Sequence, residues 1–321
     1  MKNVVVWIFL LLQCIPSLMA QEIISNEIIW KGNPYAAFTS LVYYKGSYYC
    51  AFREANKHWD NTGKDCGVIK IIHTNNLKDW DEFFVFSESG YDLRDPQLSV
   101  TSDSILMLIT EKVRYERGEA LSRNTCVSFF VDSGGFTPLS HIVFDACQNW
   151  NWIWNVEWID NEAVGFCYAP FFGMVKSKNG IKYELVEKLN LERNPTEASV
   201  LKINKNELLS IVRTDSVALI GVYDIGNKQW TWKNSEIVLE CPKLVEVNGT
   251  YYVVGRSYDI EKNTSLFKFN VAKQDIEKII SIPGGKDCSY PGIVYKDGKL
   301  YISYYKKNEM TSDIFLAIIQ L

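Results

Sequence analysis

Six stretches of this chain read as versions of one hairpin, and their recurrence restricts the fold more than any other feature. "LVYYKGSYYCAF", "LVEVNGTYYVVG" and "GIVYKDGKLYISYY" each set a run rich in Val, Ile and Tyr, a tight turn containing Gly, and a second such run. Asn-Gly and Asp-Gly favour the primed turns whose twist matches that of paired antiparallel strands. "SVLKINKNELLSIV", "LSVTSDSILMLI" and "NVEWIDNEAVGFCY" follow the same plan. The hairpins begin near Ala37, Asp95, Asn155, Glu197, Pro242 and Tyr290. Their spacing of roughly 40 to 60 residues is that of a repeat architecture.

Each hairpin leads into a third β-rich run, from "VIKIIHT" in the first to "DIFLAII" in the last, and most into a fourth after a polar turn. Units of this length and content predict an all-β chain folded as a six-bladed β-propeller. "EIISNEIIW", before the first hairpin, is expected to supply a closing strand to the last blade. No long stretch shows helical periodicity.

Residues 1–20 carry Lys2, an apolar run from Val4 to Leu12, and Ala20 ahead of Gln21. That pattern is a signal peptide, too short in its apolar part to span a bilayer. The expectation is a secreted or periplasmic protein, a single propeller domain over residues 21–321, monomeric and without a membrane span once the signal is removed. Aromatic residues make up 14% of the chain and prolines number 9, which excludes a disordered chain. The formal charge of -4 argues against nucleic acid as a partner. Seven cysteines follow the signal, scattered and without a Cys-x-x-Cys pair, so a zinc site is not expected. Buried free thiols are, with room for one or two bridges. No cofactor is implied.

In a propeller the loops of one face converge on the axis, so the residues just before the first strand and just after the second gather there. Those positions hold Arg53, Arg94, Asp95, Glu197, Arg213, Arg256 and Tyr290. One arginine at a strand end is ordinarily a solvated surface residue. Several on equivalent ends predict a polar pocket for an anionic or polyhydroxylated ligand, because guanidinium groups bind carboxylates through paired hydrogen bonds.

"NPTEASVLKINKNELLSIVRTD" (194–215) resembles the fourth-blade segment of sialidases, with Glu197 before the hairpin and Arg213 after it. Arg256 after "TYYVVG", and Tyr290 in "DCSYPGIVYKDGKLYISYY", continue the family's order, and "HTNNLKDW" and "SKNGIKY" are similar to its Asp-box turns. The resemblance implies Tyr290 as nucleophile, Glu197 as its base, and Arg213 and Arg256 as binders of a substrate carboxylate. The chemistry is sensible on its own terms. A phenol with an ordinary pKa near 10 needs a base beside it to attack, and sialidases depart from the two-carboxylate pattern of most glycosidases.

The chain also departs from the family. The family's first arginine stands in an Arg-Ile-Pro motif, where this chain reads "AAFTS", and the acid supporting that arginine falls near Tyr304 and Tyr305, with Glu309 a loose substitute. Either Arg94 restores a third positive charge, or the ligand lacks the carboxylate. For the general acid, "REANKHWDNTGKDC" offers His58, Asp60 and Asp65. Asp60 has the spacing, and His58 titrates in the useful range. Asp95 is a further acid in reach, and with Arg53 it is a candidate for binding the substrate, though Arg94–Asp95 could equally brace the structure. Trp150 and Trp152 could stack on a sugar or fill the wedge between blades. The reading is an exo-acting glycoside hydrolase that takes a terminal, acidic sugar from a glycan. The alternatives are a glycosidase or lyase for another sugar such as a uronic acid, and a non-catalytic glycan-binding propeller.

Overall fold

The turn residues adopt the backbone that their types favour. Lys45 and Gly46 have φ of 45° and 88°, Asn248 and Gly249 of 49° and 77°, and Asp297 and Gly298 of 50° and 76°. Two successive positive φ values make the type I′ hairpin turn. Each turn joins an antiparallel pair: Tyr35–Tyr44 with Ser47–Ala55, Leu239–Val247 with Thr250–Tyr258, and Asp287–Lys296 with Lys299–Lys307.

The computed structural model describes residues 21–60, 62–132, 135–258 and 261–321, and its regular elements are all strands. The expected signal peptide, residues 1–20, lies outside the described residues. Among the described residues five hydrogen-bonded sheets result. Four of them start with the strands Asp92–Val100, Ile153–Ile159, Ala198–Asn204 and Leu239–Val247. The fifth has eight strands in two halves. One half runs Tyr35–Tyr44, Ser47–Ala55, Val68–Thr74 and Asp81–Phe86; the other runs Asp287–Lys296, Lys299–Lys307 and Ser312–Gln320, with Glu22–Trp30 along its outer edge. Six separate units were expected, and two are joined here by a single parallel pair, Tyr35 with Ser312. The Ser312 amide donates to the Pro34 carbonyl at 3.0 Å and its hydroxyl to the Ala36 carbonyl at 2.7 Å, which ties the end of one half to the start of the other.

The first strands of these units pack each against the next and the last against the first, closing a ring. This is a β-propeller arrangement. Apolar side chains fill the wedges between neighbouring sheets: Leu209 and Ile211 meet Val253 and Phe267, while Val254 and Leu266 meet Leu300 and Ile302. Burying each such side chain contributes about 1.5–3 kcal/mol. One end of the axis opens into a cavity of about 530 Å³ lined by Leu41, Leu98, Trp158, Leu201, Leu244 and Ile293, one from each inner strand.

The other end is shaped by a repeated irregularity. The inner strands slip register between Ala37 and Ser40, Arg94 and Gln97, Glu240 and Lys243, and Ser289 and Gly292. Inside each slip stands a non-glycine residue with positive φ: Phe38 at 63°, Asp95 at 46°, Cys241 at 45° and Tyr290 at 48°. Proline follows three of the four, and the interrupted ladder tolerates its missing N–H. The bulges crowd the strands together. A Cβ on Gly292 would lie 2.1 Å from the Leu41 amide nitrogen, so only glycine fits there. The Asp-box-like turns share one hydrogen-bond scheme, in which Asn76 Oδ1 accepts from the Lys78 and Asp79 amides and Asn179 Oδ1 from those of Ile181 and Lys182.

Candidate active site

Glu197 ends the Pro-Thr segment ahead of its strand, and Tyr290 occupies the bulge of the last inner strand. The Tyr290 hydroxyl donates to Glu197 Oε1 at 2.5 Å. The other carboxylate oxygen accepts from the Cys241 amide at 3.0 Å. Arg213 Nη1 donates to both Glu197 oxygens at 3.0 Å and approaches the Tyr290 oxygen to 3.4 Å. Burial, and then the charge of Glu197, push the Tyr290 phenol well above the ordinary tyrosine value. The phenol is therefore neutral, held against the group that can take its proton. Its ring is fixed by Phe38, edge-on with centroids 4.7 Å apart, and by Trp154 at 6.3 Å.

Arg213 and Arg256 are both paired with carboxylates of the chain itself. Arg213 Nη2 donates to Glu240 Oε1 at 2.6 Å and Arg256 Nη1 to Glu240 Oε2 at 2.8 Å, so Glu240 bridges them. Arg256 Nη2 also donates to Asp287 at 2.9 Å and to the Tyr305 hydroxyl at 2.8 Å, and its Nε to the Cys288 carbonyl at 2.7 Å. Tyr258 donates its hydroxyl to Glu240 at 2.6 Å. Burial pushes the Glu240 carboxyl up, but the Tyr258 hydroxyl and the two guanidinium groups outweigh it and hold the pKa below the usual value.

A second charged group lies on the first two units. Arg53, fully buried, turns Nε and Nη2 onto Asp92 Oδ1 at 2.9 and 2.8 Å and Nη1 onto the Lys57 carbonyl at 3.1 Å. All three nitrogens are used inside the protein, so Arg53 is a brace. Arg94 Nη1 donates to Asp92 Oδ2 at 3.0 Å and to the His58 carbonyl at 3.2 Å, with its guanidinium 5.4 Å from the Phe38 ring centre. Asp95 is different. It is buried, and among the described residues no hydrogen bond reaches its carboxylate. Burial pushes its pKa up to about 7, against the pull of Arg94 and with a further push from Glu197.

Asp60 is turned the other way. Its carboxylate accepts from the Thr62 hydroxyl at 2.6 Å and from the Lys64 and Asp65 amides at 3.1 and 2.9 Å, and pairs with Lys57 at 3.0 Å. Those bonds, that of Thr62 foremost, hold it well below the usual carboxylate range and bind it into its own loop. Asp65 accepts from the Asn56 side chain at 2.7 Å. His58 does reach the site's rim. Its Nδ1 shares a hydrogen bond of 2.7 Å with the Tyr35 hydroxyl, and its ring meets Phe38 edge-on at 5.3 Å. Burial of its inner side, with Arg94 beside it, lowers its pKa to about 4, so the ring is neutral at pH 7. The loose substitute Glu309 is exposed and 3.9 Å from Lys286, away from these groups.

The tryptophan-rich strand contributes buried rings. Trp154 faces Tyr290, and Trp152 stacks on Tyr168 with centroids 5.3 Å apart and lies under Arg123 at 4.6 Å. Beside them a pocket of about 410 Å³ is lined by His58, Trp59, Arg94, Tyr115, Arg123 and Trp152. The structure thus unites Tyr290, Glu197, Arg213, Arg256, Arg94 and Asp95, with His58 at the edge. Sequence reading missed Glu240, Asp287, Asp92, Phe38 and Cys241. The bulge pair of one residue and a following Pro or Thr, in "AAFTS", "LRDPQ", "LECPK" and "CSYPG", was the available signal. Among the described residues no group of His, Cys, Asp and Glu side chains could hold a metal ion, and all seven cysteines there are free thiols.

No protein-family model and no curated protein matches this chain. Solved structures do. A Dyadobacter fermentans protein of unknown function is 15% identical with a TM-score of 0.82, covering 95% of this chain and 100% of its own. Trypanosoma rangeli sialidase in complex with sialic acid is 13% identical with a TM-score of 0.65, over 91% of this chain and 58% of that one. NanB, solved with Optactamide, is 7% identical with a TM-score of 0.63, over 89% of this chain and 68% of its own. The fold is a sialidase-like propeller. At these identities the likeness is one of fold alone, and the chain spans little more than half of the trypanosomal enzyme.

Proposed function

We propose that this protein is an exported, exo-acting glycoside hydrolase that removes a terminal sugar from a glycan by way of a tyrosine nucleophile. In this reading the eight-stranded sheet counts as two blades, making six in a single domain over residues 21–321. The observation that carries it is the 2.5 Å hydrogen bond from Tyr290 to Glu197, with Arg213 beside both. A phenol pressed against a carboxylate in a buried site is a nucleophile with its base in place.

The Tyr290 oxygen attacks the anomeric carbon as its proton passes to Glu197. The bond to the leaving oxygen breaks, and that oxygen takes its proton from Asp95, whose pKa near 7 suits a general acid. Water then attacks the same carbon and gives its proton to the Asp95 carboxylate, while the Tyr290 oxygen departs and recovers its proton from Glu197. Two displacements at one carbon retain its configuration. Arg213 favours the negative charge that develops on the Tyr290 oxygen.

A panel of aryl glycosides and native glycans, assayed with the wild type and Tyr290→Phe, tests this reading. Turnover of one member, lost in Tyr290→Phe while its binding persists, supports it. Binding without turnover in either form would make the protein a glycan-binding module. Export is tested by N-terminal sequencing of protein recovered outside the cytoplasm, which should begin at Gln21.

A further inference from the structure

Two of the arginines that suggested an acidic sugar, Arg213 and Arg256, are already answered by one carboxylate of the chain. Glu240 stands one residue before the bulge at Cys241 and divides its oxygens between Arg213 (2.6 Å) and Arg256 (2.8 Å). Its side chain is 13% exposed and is held from a third side by the Tyr258 hydroxyl. The other ends of the two guanidinium groups are spent on Glu197 and Asp287. Two positive charges thus face three carboxylates, Glu197, Glu240 and Asp287, which leaves an excess of one negative charge. In "AAFTS", which carries no arginine, the ring of Phe38 lies against Tyr290. A ligand carboxylate brought to these arginines would meet Glu240, a like charge in a buried place.

We infer that Glu240 is a built-in substitute for a substrate carboxylate, and that the sugar accepted beside Tyr290 is neutral, carrying no acid group at its anomeric carbon. The inference rests on the hydrolase reading for the word substrate, but its physical core, a carboxylate position filled by the chain, is measurable without turnover. Removing Glu240 should leave an arginine-lined gap that a small carboxylate can enter, while a neutral sugar would be bound through its hydroxyl groups.

Thermal unfolding of Glu240→Ala and of the wild type, in sodium formate against sodium chloride at equal ionic strength, tests that core. Formate should raise the Tm of Glu240→Ala beyond the effect of chloride and leave the wild type unchanged; equal responses would overturn the inference. If Glu240→Ala does not fold, Glu240→Ser opens the same gap around a small polar side chain. By titration calorimetry it should bind N-acetylneuraminic acid about tenfold or more tighter than the wild type does, and equal affinities would overturn the inference. In the wild type, cleavage of neutral aryl glycosides with an aryl sialoside left intact is the expected pattern, and sialoside cleavage refutes it. Failure to cleave any glycoside removes the hydrolase reading and leaves the formate result to judge Glu240.

Discussion

Cys241 and Tyr290 occupy the same left-handed bulge of neighbouring inner strands, at φ of 45° and 48°, and the Tyr290 amide donates to the Cys241 sulfur at 3.2 Å. One strained backbone thus positions the next, and the Cys241 amide in turn holds Glu197. Non-glycine residues at positive φ cost roughly 1–3 kcal/mol each and persist where the surroundings over-determine them. Cys241→Ala would leave the buried Tyr290 amide without its acceptor. Chemical denaturation should show a loss of about 1–3 kcal/mol in unfolding free energy.

Tyr290→Phe removes the attacking oxygen and little volume. The turnover number on any substrate found by screening should fall about 10³-fold or more, with ligand affinity kept, as read by steady-state kinetics beside calorimetry. Glu197→Gln keeps the shape but cannot take the proton, and its turnover number should fall by about 10²–10⁴-fold.

Asp95 must be protonated to act as the acid, so kcat/KM should decline as pH rises through about 7, and Asp95→Asn should abolish that limb. Stability carries the same sign. The folded state keeps a proton on Asp95 that the unfolded chain releases near pH 4, so this contribution is present below pH 4 and is lost as pH rises to about 7. His58 works in the opposite sense, since its lowered pKa makes the folded state gain stability between about 4 and 6.5. The difference in Tm between wild type and Asp95→Asn isolates the Asp95 part, and it should shift against the wild type across this window.

The Arg53–Asp92 pair is a structural brace with no room beside it. A Cβ on Gly67 would lie 2.3 Å from Arg53 Nε and 2.7 Å from Asp92 Oδ1. Gly67→Ala should therefore destabilise the protein, and Asp92→Asn, which leaves the buried guanidinium without its counter-charge, should cost about 3–5 kcal/mol in equilibrium unfolding.

The propeller arrangement was legible because its signals are local. Asn-Gly and Asp-Gly turns, β-branched runs and their period act within a dozen residues, and the structure keeps them. Tyr290, Glu197, Arg213 and Arg256 were legible because each sits at a strand end that the repeat brings to the axis. The surroundings of Asp60 and Arg53 were not legible, for a different reason. Asp60 has the spacing of an acid beside the pocket, but hydrogen bonds from Thr62, Lys64 and Asp65 turn its carboxylate into its own loop. Arg53 reads as a binding residue until Asp92, on the next unit, is seen against it.

What the sequence determined by itself was the repeat, the hairpins and the supply of charges at one face. Only the tertiary structure decided which charges are free. Glu240 lies 27 residues from Arg213 and 16 from Arg256, and Tyr290 lies 93 from Glu197. An arginine's charge is written in its side chain, but whether it is left for a ligand depends on the carboxylates that ring closure brings within 3 Å of it, and no local pattern records that distance.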